Sequence, residues 1–324
     1  MSVAMQEWVD RIEQEYIAGF ITRGGAAVKF AIGDECAIAA VRAALCETSR
    51  RHGMIPVAAD AAATRVHMIQ DVFFALSRAL DWDVLAQGFL ETLLARQGYH
   101  WPRPGQAVAI EEVAECNRTD VILLRRDVRQ WLTGEILRDT GMAQDFRTAM
   151  AWLCLQRLDA EGGFAPLPIL AWLRGELRQI GTLRAAAITA RITRHNGRAM
   201  LRSLCRWLQR CGRRGLCLCL DIRQLARTGS SAGEGIRYSP AAVMDGFEVL
   251  RQLIDDAEHF AGLLLVVLAD EALIGDDPRR SLGAYQALKM RVWDDVRAEE
   301  RDNPLAPLVR LTAAPLPLGP EGRG

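Results

Sequence analysis

Residues 24–41 read Gly24-Gly25-Ala26-Ala27-Val28-Lys29-Phe30-Ala31-Ile32-Gly33-Asp34-Glu35-Cys36-Ala37-Ile38-Ala39-Ala40-Val41. Ala26 to Ile32 is a short apolar run with one lysine, bounded by glycines, which is the pattern of a buried strand. From Ala37 to Leu45 the chain predicts a helix. A strand, a glycine turn and a helix make the frame on which a phosphate-binding loop is built.

The working form of that loop is G-x-x-x-x-G-K-[ST]. Its lysine neutralises the β/γ-phosphates and its hydroxyl ligates Mg²⁺. With Gly33 as the first glycine, Ile38 stands at the second glycine, Ala39 at the lysine and Ala40 at the hydroxyl. Two methyl groups supply neither a charge nor a ligand. Ile38 puts a branched side chain where backbone amides must approach the anion, and Asp34 and Glu35 add negative charge there. Cys36 completes the degenerate stretch. The competing reading is a strand and helix of some other α/β fold.

Composition sets the bounds. Half of the 324 residues are apolar and the formal net charge is zero, which argues against bulk attraction to nucleic acid or membrane. Of the 40 basic residues only Lys29 and Lys289 are lysines. The eight cysteines form no CxxC pair and no zinc spacing, so they read as free thiols of a reducing compartment. No apolar run approaches the roughly 20 residues that span a bilayer, nor does the N-terminus carry a signal-type core. These features predict a cytoplasmic protein.

Along the chain, Glu7–Phe20 has helical spacing and Met54–Ala59 reads as a second strand. Val66–Leu94 reads as helix. Further amphipathic helices are predicted near 121–138, 143–158 and 169–180, with no strand pattern until about Gly215, which makes an all-helical insertion. Ala187–Arg214 reads as one long helix, or two broken near His195-Asn196-Gly197. Its arginines Arg191, Arg194, Arg198, Arg202, Arg206, Arg210 and Arg213 recur at intervals of three and four, one stripe of a helix. That stripe is either a solvated face or a contact surface for DNA or an acidic partner. Gly215–Leu220 is a continuous apolar strand ending at Asp221, the pattern of an acid that holds Mg²⁺. Ile222 stands where a second acid would polarise water, and Asp221 reads equally as a cap of the next turn. A Ser/Gly loop spans Gly229–Tyr238, and Ser239-Pro240 opens a helix to about Phe260. Gly262–Ala269 is another buried strand, followed by Asp270. A helix over Ala284–Glu299 and a short strand at Leu308–Leu311 close the fold.

These strands, with helices between them, predict an α/β fold of the P-loop NTPase-like (RecA/AAA-like) type. It has a five-stranded, mainly parallel sheet and a large all-helical insertion. The expected organisation is a first core part over 1–70, the insertion over 71–190, a second core part over 191–313 and a disordered tail over 314–324. Several strings resemble the family of BREX-system ATP-binding proteins, a P-loop family of bacterial phage-defence loci. They are Val28-Lys29-Phe30, Ala199-Met200-Leu201-Arg202-Ser203-Leu204, Tyr285-Gln286-Ala287-Leu288-Lys289-Met290-Arg291 and Asn303-Pro304-Leu305-Ala306-Pro307-Leu308-Val309-Arg310-Leu311. The resemblance implies ATP and Mg as ligands, with Gly33–Ala40 and Asp221 as the nucleotide site. It also implies a helicase or nuclease subunit as partner. Against this, Ala39 and Ala40 predict a non-catalytic pseudo-ATPase that binds no cofactor. The alternative is an active ATPase in which Lys29, Arg279, Arg280 or Arg291 replaces the lysine. A homo-oligomer is compatible with either.

Overall fold

The computed structural model describes residues 2–106, 108–158, 167–228, 233–293 and 303–312. The expected tail over 314–324, the centre of the Ser/Gly loop and the end of the helix expected to reach Glu299 lie outside the described residues.

Six strands are present among them: β1 (Val3–Ala4), β2 (Ala26–Ile32), β3 (Met54–Asp60), β4 (Gly215–Asp221), β5 (Leu263–Ala269) and β6 (Leu308–Thr312). The helices are α1 (Met5–Ile12), α2 (Glu35–Arg51), α3 (Ile69–Ala79), α4 (Trp82–Arg96), α5 (Ile110–Cys116), α6 (Val121–Leu132), α7 (Gln144–Leu158), α8 (Leu167–Leu173), α9 (Gly197–Arg210), α10 (Pro240–Asp255) and α11 (Gln286–Val292). The chain forms two compact units. One is the α/β unit, up to Met68 and again from Arg214; the other is helical, Ile69–Arg213.

In the α/β unit every strand pairing is parallel, in the order β1-β6-β2-β5-β4-β3. The expected five strands are joined by a sixth, β1, which adds two residues at the edge beside β6. β4 and β5 are buried at every position and read as unbroken apolar runs, as strands covered on both faces must. One face carries Ala27, Ala31, Cys217, Cys219, Leu264 and Val266, packed with Trp8, Val9 and Ile12 of α1 and Ile38, Val41 and Leu45 of α2. α10 packs against β2 and buries Val243, Phe247, Leu250 and Leu253.

The topology decides where a ligand could sit. From β2 the chain runs through α2 to β3, three positions away on one side. From β5 it runs to β6, on the other side of β2. The carboxyl ends of β2 and β5 therefore flank a topological switch point, the crevice where open α/β sheets bind ligands.

The helical unit contains no strand among its described residues. The helix expected over Val66–Leu94 is two, because Asp81 caps a new one through the amides of Asp83 and Val84. The single helix or broken pair expected over Ala187–Arg214 is also corrected. A 3-10 stretch ends at Ala186, residues 188–193 are neither helix nor strand, and α9 begins only at Gly197. Asn196 fixes the intervening turn: its Oδ1 accepts from the Thr193 amide at 2.7 Å and its Nδ2 donates to the Arg191 carbonyl at 3.0 Å. Arg191 and Arg194 are thus off the helix, and the seven-arginine stripe does not exist as a helical face.

Candidate functional site

The connection from β2 to α2 is two residues long, Gly33 and Asp34. A phosphate cradle needs a loop of free amides ahead of the helix. Here Glu35, Cys36, Ala37, Ile38, Ala39 and Ala40 already lie in α2. Asp34 is the helix N-cap, and its carboxylate accepts from the Ala37 amide at 2.7 Å, so the protein's own anion takes a donor that a phosphate would need. Gly33 donates to the Ala269 carbonyl at 3.1 Å, and a Cβ on it would stand 3.1 Å from that of Ala37. Ala37 and Ile38 are fully buried in the core, whereas Asp34, Glu35, Cys36 and Ala39 face solvent.

Two strands away, Asp221 ends β4 with its side chain 3 % exposed. Its Oδ1 accepts from the backbone amide of Arg223 at 3.1 Å and from Arg223 Nε at 3.0 Å. Its Oδ2 accepts from Nη2 at 2.7 Å, a bidentate fork. The Arg223 guanidinium is held further into its charged form by these bonds, against burial, with Glu35 and Asp270 adding attraction. Asp221 thus holds this cation directly, and the carboxylates of Glu35 and Asp270 attract it from further off.

The strand-end acids share a local role. Asp60 accepts from the Ala62 amide at 2.7 Å, Asp221 from Arg223 and Asp270 from Ala272 at 3.1 Å, each a turn closed by the aspartate two residues earlier. This is the capping role that the sequence left open for Asp221.

Three of the four residues offered as replacements for the lysine are engaged elsewhere. Lys29 Nζ donates to the Leu305 carbonyl at 2.7 Å and lies 4.4 Å from the centre of the Tyr16 ring, on the sheet face that α1 covers. Arg280 donates to the carbonyls of Leu225 and Tyr238, both at 2.8 Å. Arg291 pairs with Asp255. Arg279 is exposed.

In the helical unit the charge is uneven. The unit's sequence holds 20 arginines against 15 acids, and the α/β unit carries the opposite excess. Residues 177–213 contain nine arginines and no acid. Arg206 and Arg210 are neutralised from outside this run: Arg206 Nε donates to Asp139 at 2.8 Å, and Arg210 pairs with Glu135 at 2.5 Å and Asp139 at 3.4 Å. Burial pushes the Asp139 carboxyl up, but Arg206, the Gly141 amide and Arg210 together hold it below its ordinary range. Arg202 is half-buried on α9, while Arg178, Arg184, Arg191, Arg194, His195 and Arg213 are exposed.

Arg223 is the site residue that sequence reading missed. Its spacing of two from a strand-end acid was the available signal. Among the described residues no group of His, Cys, Asp or Glu could hold a metal ion, and no helix is long and apolar enough to cross a membrane.

Fold and site together define a doubly wound α/β protein in which the ligand crevice keeps its strand ends and lacks a cradle. The chain belongs to the family of BREX system ATP-binding proteins BrxC/D, whose model matches residues 3–315. No curated protein and no solved structure matches it. The ATP that the family description names does not fit the β2–α2 connection, where Asp34 occupies the amide end, and Arg223 occupies the acid that would hold a metal beside it.

Proposed function

We propose that this chain is a non-catalytic scaffold or adaptor of a bacterial BREX defence complex, a P-loop-type fold that has lost nucleotide chemistry. We place it in the cytoplasm, with a helicase or nuclease subunit as its protein partner and with DNA in reach of the arginine-rich helical unit. The observation that carries the reading is the two-residue β2–α2 connection capped by Asp34. It leaves no loop to wrap a phosphate and no cation at Ala39. The strand order supports the P-loop comparison, because it puts the β2 end at the switch point with an acid-ended strand two places away.

Isothermal titration with ATP and Mg²⁺ tests this. The expected result is no saturable heat at millimolar nucleotide. Micromolar binding with turnover overturns it and favours the competing reading, an active ATPase, which the family description supports. In that case Asp221→Asn abolishes turnover if Asp221 is the metal-side acid.

A further inference from the structure

We infer that a cleft beside the π-turn that closes α6 holds one nucleotide of a single-stranded nucleic acid, with its base against Trp131. The inference rests on the DNA part of the proposed function and does not depend on the state of the β2–α2 connection.

The cleft has a volume of about 340 Å³ and all of its lining belongs to the helical unit. That volume is at the lower end of the range of small-ligand sites. Past Leu132, α6 continues as a π-turn, Thr133–Leu137, a feature that recurs at functional sites. Gly134 sits inside this turn and in the cleft lining. Glycine weakens a helix relative to alanine, and neither usual reason for keeping one applies here. Its φ is not positive, and a Cβ on it would meet nothing within 4 Å. What remains is a bare stretch of backbone facing open space, the setting in which a ligand can approach closely.

The other lining groups select the ligand. Trp131 is half-buried, with the Tyr99 ring 5.6 Å from its own, and an indole is a stacking platform for any base. The carboxamides of Gln97, at the end of α4, and Gln130, on α6, make no hydrogen bond among the described residues. Each offers donors and an acceptor, which suits the edge of a base. Charge around the cleft is fixed by printed pairs of short distance. Arg210 bonds Glu135 at 2.5 Å and Arg96 lies 3.7 Å from the same carboxylate. Asp139 is shared by Arg210 at 3.4 Å and Arg206 at 2.8 Å. Arg138, exposed and in the lining, has no carboxylate partner among the described residues. Four guanidinium groups thus stand against two carboxylates, an excess of two positive charges. Arginine forks match phosphate oxygens. The lining holds no aliphatic side chain, whereas a docked peptide helix needs an apolar groove. A ring for the base, amides for its edge and a cation for its phosphate fit a strand whose bases are free to stack.

Fluorescence anisotropy with the full chain and a labelled single-stranded DNA of about 15 nucleotides tests the proposal. The strand should bind at low salt, more tightly than a duplex of the same length. Trp131→Leu should weaken that binding roughly tenfold to a hundredfold, the effect of losing one stacked base, while Trp131→Phe keeps most of it. Arg138→Ala should lower the logarithmic salt slope by about 0.7, one phosphate contact of a single strand. Gly134→Ala is the sharpest variant, because it puts a methyl group into the cleft without touching the core. It should weaken binding about tenfold and leave the circular-dichroism melt unchanged or raised, an outcome that a purely structural glycine would not give. The proposal is overturned if Gly134→Ala and Arg138→Ala both bind the strand as the wild type does, or if excess free AMP displaces the strand, which assigns the cleft to a small nucleotide. A duplex that binds where the strand does not overturns it and leaves the DNA reading standing. Binding by neither ends both.

Discussion

The ends of β2 and β4 lie on the same edge of one sheet, separated only by β5, and they differ from a nucleotide site in opposite ways. At the end of β2 the motif's side chains are absent. The cation and hydroxyl positions hold Ala39 and Ala40, the helix starts early, and Ile38 has joined the core. At the end of β4 the acid is kept and a cation has been added beside it, Arg223, bonded through both carboxylate oxygens. The two ends are held by different means. Apolar packing of β2, α1 and α2 holds the strand–helix pair in place, and Arg223 balances the buried charge of Asp221.

The comparison can be broken most directly at Arg223. Arg223→Met leaves Asp221 buried without its partner, which costs about 3 kcal/mol, read as the shift in urea midpoint. Asp221→Leu/Arg223→Met should recover much of that loss. A single variant as stable as the wild type contradicts the idea that Arg223 balances the buried Asp221 carboxylate.

At the other end, Ile38→Ala should cost about 3 kcal/mol, as expected for a fully buried aliphatic side chain. A phosphate loop would tolerate this change, so a loss below about 1 kcal/mol argues that the position is still loop-like. The exposed neighbour should behave differently: Ala39→Lys should change stability by less than about 0.5 kcal/mol and restore no ATP binding.

The smallest effect concerns a thiol that joins the two regions. The Cys219 thiol of β4 favours the thiolate of Cys46 on α2 by hydrogen bonding to it. That bond first, with Arg50 and Arg42, lowers the Cys46 thiol to about 6 against the opposing effect of burial. Because the shift is downward, the thiolate dominates above that pH. Iodoacetamide labelling of Cys46, followed by peptide mass spectrometry, should rise through pH 5–7 and then level. Cys219→Ser should move the rise to higher pH. A wild-type profile still climbing at pH 8 rejects the thiol pair. Cys154 is fully buried, and burial alone pushes its thiol far up, so it should stay unlabelled until the protein unfolds.

Much of the α/β unit was legible because its strands are unbroken apolar runs bounded by glycine or aspartate. Ala26–Ile32 and Leu263–Ala269 fall within a residue of their expected ends. β1 was not legible, since two residues carry no periodicity. The arginine spacing misled for a different reason. Intervals of three and four persist through Arg191 and Arg194, but Asn196 takes the local backbone bonds that a helix would need and starts α9 late. The degenerate loop could be seen as missing side chains. Its conversion into helix could not, because that depends on where Asp34 caps. The Asp221–Arg223 fork was hidden for the same reason, as both residues are ordinary in sequence and meaningful only at a strand end.

The order of pairing has a consequence during synthesis. Met54 pairs with Gly215 and Ala26 with Leu263, while all of the helical unit lies between β3 and β4 in the chain. At about 5–20 residues per second the ribosome takes roughly 7–30 s to make that unit. For that time β2 and β3 have left the exit tunnel with no partner strand. Their apolar residues, Val28, Phe30 and Ile32 among them, await a neighbour not yet translated. Nascent chains arrested before Gly215 should therefore be cut by protease throughout their first 68 residues and be held by chaperones, while the helices behind them are already protected.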